Sequence, residues 1–111
     1  MEDSTLVKMT ESVANAVFFR SKAGKEEDLA RRLRELVLAS RSDPGVMTYD
    51  LHWSAADPAL WFLYECYASQ EHLNKHLENP VLRRFLADAA SLLDGKLEVR
   101  TFRLVGDLHG A

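Results

Sequence analysis

Cysteine is almost missing from this chain. Cys66 stands alone among 111 residues, so no intrachain disulfide can staple the fold, and its place among apolar residues favours a reducing compartment. Long apolar runs are absent as well: nowhere do 18 apolar residues follow one another, and the opening MEDSTLVK is acidic where a signal peptide would be apolar. The expectation is a soluble, cytoplasmic protein with no membrane partner. Positive charge is not in excess, since 14 Lys and Arg face 17 Asp and Glu for a formal charge of -3, and no basic run can follow a phosphate backbone. Nucleic acid is therefore not an expected partner. Glycine-rich phosphate loops, paired cysteines and a Ser-His-Asp signature are also missing, which points away from nucleotide, metal and acyl-enzyme chemistry and leaves no cofactor signature.

What remains is a chain with room for one core and one pocket. Residues 1–12 are polar and read as a flexible N-terminal segment, residues 13–105 as the folded domain, and 106–111 as a C-terminal tail. VANAVFFRS, residues 13–21, reads as a strand, and after the Gly24 turn KEEDLARRLRELVLASR places Leu29, Leu33, Leu36, Val37 and Ser40 on one helical face. Its acidic residues come first, as the helix dipole prefers. Asp43, Pro44 and Gly45 end that helix and lead into VMTYDLHW, where Met47, Tyr49, Leu51 and Trp53 alternate with Thr48, Asp50 and His52. SAADPA turns a hairpin into LWFLYECY. Ser69 reads as an N-cap of a short helix that Asn79 and Pro80 interrupt and restart, with Val81, Leu82, Phe85, Leu86 and Ala89 on its apolar face. Asp94 and Gly95 turn into a last strand, LEVRTFRLV.

Strand, helix, strand, strand, helix, strand is the order of an α+β ferredoxin-like fold: a split β-α-β arrangement with a four-stranded antiparallel sheet and helices on one face. Bulky residues occupy both faces of the strands, as in Phe18 and Phe19 or Trp61 and Phe62. The face without helices should be covered by a ligand or by a second chain, most economically in a homodimer packed sheet on sheet.

The stretch WFLYECYASQEHLNKHLENPVLRRF, residues 61–85, carries the candidate chemistry. His72 and His76 are four apart and share a helix face, but Leu73 stands where a metalloprotease needs glutamate and no third ligand is evident, so no metal site is expected. His76 reads as a pocket residue able to take or hold a proton, His72 as a surface residue at the helix start. Glu65 shares a strand face with Trp61, Leu63 and Tyr67. It reads either as an acid or base or as the buried partner of an arginine or tyrosine. Asn15 is the single amide in the first strand and can orient a carbonyl or hydroxyl. Tyr49, Trp53, Tyr64 and Tyr67, with Phe85 from the helix, are candidate walls for a planar aromatic ligand, and the tyrosines and Trp53 suit a dimer interface equally well.

These segments together resemble the antibiotic biosynthesis monooxygenase (ABM) domain family: FRSKAGKEEDL, DPGVMTYDLHW, DPALWFLYECYAS, EHLNKHLENPVLRRF and LEVRTF, spanning roughly residues 13–105. The resemblance implies a dimeric alpha-beta barrel, in which two ferredoxin-like chains join through their sheets and each holds a pocket between sheet and helices. Glu65 matches the glutamate of the family's tyrosine-glutamate strand pattern and His76 the histidine of its helix pattern, while Asn15 lies in the strand that supplies a polar pocket residue in some members. Tyr67 replaces the usual tryptophan and Val81 a frequent histidine. The activity so implied is cofactor-independent oxygenation of an aromatic quinol or polyphenol by dioxygen, with His76, Asn15 and Glu65 as catalytic residues. Two alternatives stay open: an isomerase or tautomerase of a small oxygenated metabolite, and a dimeric small-molecule binding protein without catalysis. A phosphorylated substrate would require arginines such as Arg20, Arg83 or Arg84 at the pocket.

Overall fold

In the computed structural model, which describes residues 8–106, the chain runs β1 (Lys8–Arg20), α1 (Glu26–Arg41), β2 (Val46–Trp53), β3 (Leu60–Tyr67), α2 (Gln70–His76), α3 (Pro80–Leu92) and β4 (Glu98–Gly106). All neighbouring strands are antiparallel, in the order β2-β3-β1-β4. This is the ferredoxin-like order, with the first and third strands central and each helix crossing back over the sheet. Among the described residues no helix is long and apolar enough to cross a membrane.

Strand alternation sorts the sheet into two faces. Val13, Asn15, Val17 and Phe19 of β1 are buried against the helices together with Leu63, Glu65 and Tyr67 of β3, whereas Ala14, Ala16 and Phe18 lie on the other side and are only partly covered. The core on the helical side is closed by Leu29, Leu33, Leu36 and Val37 of α1 and by Leu82, Phe85 and Leu92 of α3. Each such aliphatic or aromatic side chain contributes roughly 1.5–3 kcal/mol when fully buried. The stripe expected for α1 is the one observed, down to the fully buried Ser40.

One boundary and one register differ from the sequence reading. β1 starts at Lys8 rather than Val13, inside the segment expected to be loose. Its first residues pair with the end of β4 alone (Lys8 with Gly106, Met9 with Val105) before a register shift ahead of Val13. Thr10 and Ser12 are polar, so apolar periodicity gives no strand signal there, and backbone pairing supplies the order instead. The rest of the expected N-terminal segment, residues 1–7, and positions 107–111 of the tail lie outside the described residues.

The second difference is in β2. Val46 pairs with Tyr67 and Thr48 with Cys66, so Met47 is an extra residue in a β-bulge. Met47 is 61% exposed and Val46 takes the inward position expected for it. The bulge resets the phase, and Tyr49 still points inward, opposite Glu65.

Candidate functional site

One rung of the sheet is polar from edge to edge. Tyr49 of β2 pairs with Glu65 of β3, Glu65 with Asn15 of β1, and Asn15 with Thr101 of β4. The next rung on the same face, Leu51, Leu63, Val17 and Val99, is entirely apolar. A cavity of about 190 Å³ lies between this part of the sheet and α3, with Asn15, Tyr49, Glu65 and His76 at its polar end and Leu82, Phe85 and Val99 among its apolar walls. Phe85 is fixed there by an edge-on contact with Phe19, ring centroids 5.7 Å apart.

His76 closes the rung from above. It is the last residue of α2 and only 2% exposed. Its Nδ1 is 3.0 Å from Asp43 Oδ2, and its Nε2 is 3.4 Å from the Tyr49 hydroxyl. The Asp43 carboxylate accepts, so the imidazole proton belongs on Nδ1 and Nε2 is left as the acceptor turned toward the phenol. Asp43 is itself held by Asn79, whose Nδ2 donates to the same Oδ2 at 3.0 Å. Asn79 can do this because it caps α3: its Oδ1 accepts from the backbone N–H of Val81 and Leu82. The Asn-Pro break between the helices thus aligns the amide that fixes the carboxylate that fixes the histidine.

Glu65 is buried and accepts from the Tyr67 hydroxyl at 2.6 Å. Thr101 donates to Asn15 Oδ1 at 2.8 Å, which turns the Asn15 amide N–H toward Glu65. Loss of water around Glu65 pushes its carboxyl above the usual range, and hydrogen bonding from Tyr67, the His76 charge and hydrogen bonds from Asn15 and Tyr49 hold the rise back. Burial and the nearby Glu65 push the Tyr49 and Tyr67 phenols well above the ordinary tyrosine value. Both tyrosines are therefore hydrogen-bond donors and not bases. Proton acceptance in the cavity falls to His76 Nε2 and to Glu65.

The structure brings His76, Asn15, Glu65, Tyr49 and Phe85 to one cavity and leaves three other candidates elsewhere. Tyr64 points to the opposite sheet face, as alternation requires of a residue next to Glu65, and is 39% exposed. Trp53 is on the edge strand, stacked on Trp61 at 5.5 Å with its Nε1 donating to Pro58 O, so it holds the β2–β3 hairpin. Tyr67 shares the face of Glu65 but is fully buried behind it and is a second-row donor, not a cavity wall. His72 is also away from the cavity. The Ser69 hydroxyl that caps α2 sits 2.8 Å from its Nδ1, and its ring lies on Gly45, where a Cβ would come within 2.1 Å of it. Gly45 has φ +78, so glycine suits that turn twice over.

Sequence reasoning assigned Asp43 and Asn79 to turns and overlooked Thr101. No local pattern links Asp43 to a histidine 33 residues away. The one available signal was the Asn-Pro break three residues after His76, which places a capping side chain near that histidine. Arg20, Arg83 and Arg84 do not line the cavity, and Arg20 instead pairs with Asp57 at 2.9 Å.

Fold and site define a class: a ferredoxin-like α+β protein holding a carboxylate-oriented histidine over an apolar cavity between sheet and helices. The chain belongs to the antibiotic biosynthesis monooxygenase family, whose sequence pattern matches residues 12–88. Among curated proteins nothing matches it. Among solved structures it is similar to PA3566 from Pseudomonas aeruginosa, at 26% identity and TM-score 0.80 over 86% of this chain and 96% of that one. It is similar also to SO0527 from Shewanella oneidensis, at 22% identity and TM-score 0.83 over 89% and 97%. A third is a Nitrosomonas europaea protein named as a candidate antibiotic biosynthesis monooxygenase, at 22% identity and TM-score 0.81 over 86% and 91%. At such identities the last two speak for the fold alone.

Proposed function

We propose that the protein is a cofactor-independent monooxygenase that oxygenates an aromatic quinol with dioxygen, His76 being the base. The observation that carries this reading is a buried histidine with Nδ1 on a carboxylate and Nε2 beside the Tyr49 hydroxyl at the polar end of a cavity whose other walls are apolar. Such a histidine is oriented for proton transfer and kept from competing water.

The chemistry balances without an external reductant. His76 Nε2 takes the proton of a ring hydroxyl, and Asp43 stabilises the imidazolium that forms. The electron-rich ring anion gives an electron to dioxygen, and the resulting radical pair joins, forming a carbon–oxygen bond to the ring carbon beside the oxyanion. The peroxide takes back the proton from His76. Loss of the proton on that carbon then breaks the O–O bond, leaving a hydroxyquinone and water: quinol plus O2 gives hydroxyquinone plus H2O. The Asn15 amide N–H donates to the oxyanion, and Glu65, held between Asn15, Tyr49 and Tyr67, orients the hydroxyls.

The open face of the sheet supports a homodimer. Phe18 and Phe62 stack there at 5.1 Å, Phe102 of β4 is 54% exposed and Tyr64 of β3 is 39% exposed. Two such faces pressed together would bury these rings. The isomerase reading of a phosphorylated substrate has less support, because Arg20, Arg83 and Arg84 stay away from the cavity. The reading of a binding protein without catalysis loses weight with His76 and Glu65 converging on one cavity.

Oxygen uptake with a panel of one-ring and two-ring quinols, without added metal, flavin or haem, tests the activity. Turnover that is lost in His76→Ala supports the reading, and turnover unchanged in that variant removes His76 as the base.

A further inference from the structure

The cavity has a continuation. Leu86 of α3 and Leu97, just ahead of β4, line it and also line a second, more open recess of about 680 Å³. That recess runs between the last turns of α3 and the chain that returns to β4. Ala89, Ala90 and Leu93 join Leu86 and Leu97 in giving it carbon surface, and Lys22, Asp94 and Lys96 line it with charge. At this place the helical layer falls short of the sheet: Val99, a wall of the cavity, is 50% exposed, and Leu86 is 46% exposed. The division between the two spaces is therefore made of leucine side chains, and an exposed side chain changes rotamer within nanoseconds.

Size decides what each space can hold. A cavity of roughly 150 Å³ holds benzene, so about 190 Å³ at the polar rung accepts one ring with its hydroxyls and little more. A substrate that were only a ring would leave the recess unused, although two small residues, Ala89 and Ala90, keep its floor low. Its carbon surface, from Leu86, Ala89, Ala90, Leu93 and Leu97, offers burial to an alkyl or alkenyl chain.

We propose that the substrate is a one-ring quinol bearing an apolar side chain, the ring at the polar rung and the chain passing between Leu86 and Leu97 into the recess along α3. The inference rests on the reading of the cavity as a ring site and adds the substituent that the ring carries.

The test measures anaerobic binding of methyl-, propyl-, pentyl- and heptylhydroquinone by calorimetry, beside oxygen uptake with the same compounds in air. Affinity should rise about two- to fourfold per methylene, the upper figure being complete burial of each CH2. Ala90→Trp, at an exposed helical position whose side chain would fill the recess, should flatten that rise, and Ala90→Leu should do so in part if the indole disturbs α3. Affinity independent of chain length in the unmodified protein overturns the inference, and so does an identical rise in the folded Ala90 variants. Flat affinity with oxygen uptake intact removes the side chain and leaves the oxygenase reading standing. A rise that Ala90→Trp abolishes, with no oxygen uptake, does the reverse. If no hydroquinone binds, both fall.

Discussion

Tyr49 and Tyr64 occupy neighbouring rungs of the same β2–β3 ladder, one paired with Glu65 and the other with Asp50. Tyr49 is 1% exposed and its phenol holds its proton far more tightly than usual, while Tyr64 is 39% exposed on the opposite face. One step of strand alternation separates them. Inside, loss of water magnifies every charge, so Glu65, His76 and the two buried phenols govern one another's protons. Outside, Phe18 stacks on Phe62, Phe62 also meets the His52 ring at 5.1 Å, and Phe102 stands exposed, so what these rings offer is area. An aromatic residue in this sheet thus faces the helices or the open side according to its phase, and its type does not decide which.

The largest effect expected from breaking this contrast is at His76. His76→Ala should lower kcat for quinol oxygenation about 10²–10⁴-fold, the usual worth of a positioned general base, whereas Tyr64→Phe on the other face should leave it unchanged; oxygen-electrode assays of both variants compare the two faces directly. Next is the outer face itself. Phe102→Asp, at a position already 54% exposed, should leave each chain folded but weaken the proposed dimer by about 100-fold or more, since two uncompensated charges would be buried across it. Light scattering should then find the 12.6 kDa chain mass where the unmodified protein gives twice that. An unmodified protein that is already monomeric would remove the interface role of this face.

A smaller effect is expected for Glu65→Gln, and its sign depends on pH. The Glu65 carboxyl is raised in the folded protein, so the folded state binds that proton more tightly than the unfolded chain. Stability from this group is complete below the ordinary carboxylate range and is lost as pH rises through the raised value. The glutamine variant, which cannot ionise, should therefore gain on the unmodified protein as pH rises from below the ordinary carboxylate range through the raised value, by about 1 kcal/mol or a few degrees in Tm. Thermal melts across that range would contradict this if the difference kept one value throughout. Smallest of all is His72→Ala. With its ring packed on Gly45 and bonded only to the cap of α2, it should cost about 0.5 kcal/mol and leave oxygen uptake untouched, in contrast to the histidine one turn away.

Much of this fold is local and was readable as such. The α1 stripe from Leu29 to Ser40 follows helical period, Ser69 and Asn79 cap as their side chains prefer, and Pro80 takes the first turn of α3. Period two put Glu65 on the face of Leu63 and Tyr67, which is where it lies. The same rule puts Tyr64 outside the candidate site, because a residue adjacent to Glu65 cannot share its face. Met47 was a different case: its bulge comes from how β2 meets β3, and nothing in the alternation of β2 alone announces it.

The sequence by itself determined the elements, their order and the inward side of most strands, because these depend on side-chain period and on capping and turn chemistry within a few residues. Only the tertiary structure decided that Tyr49, Glu65, Asn15 and Thr101 fall on one rung, that Asp43 holds His76, and that Leu86 and Leu97 border both the cavity and the recess. The physical reason is range: register between strands and the docking of a helix end against a distant turn are set by packing of the whole core, and no local pattern of residues encodes a distance across it.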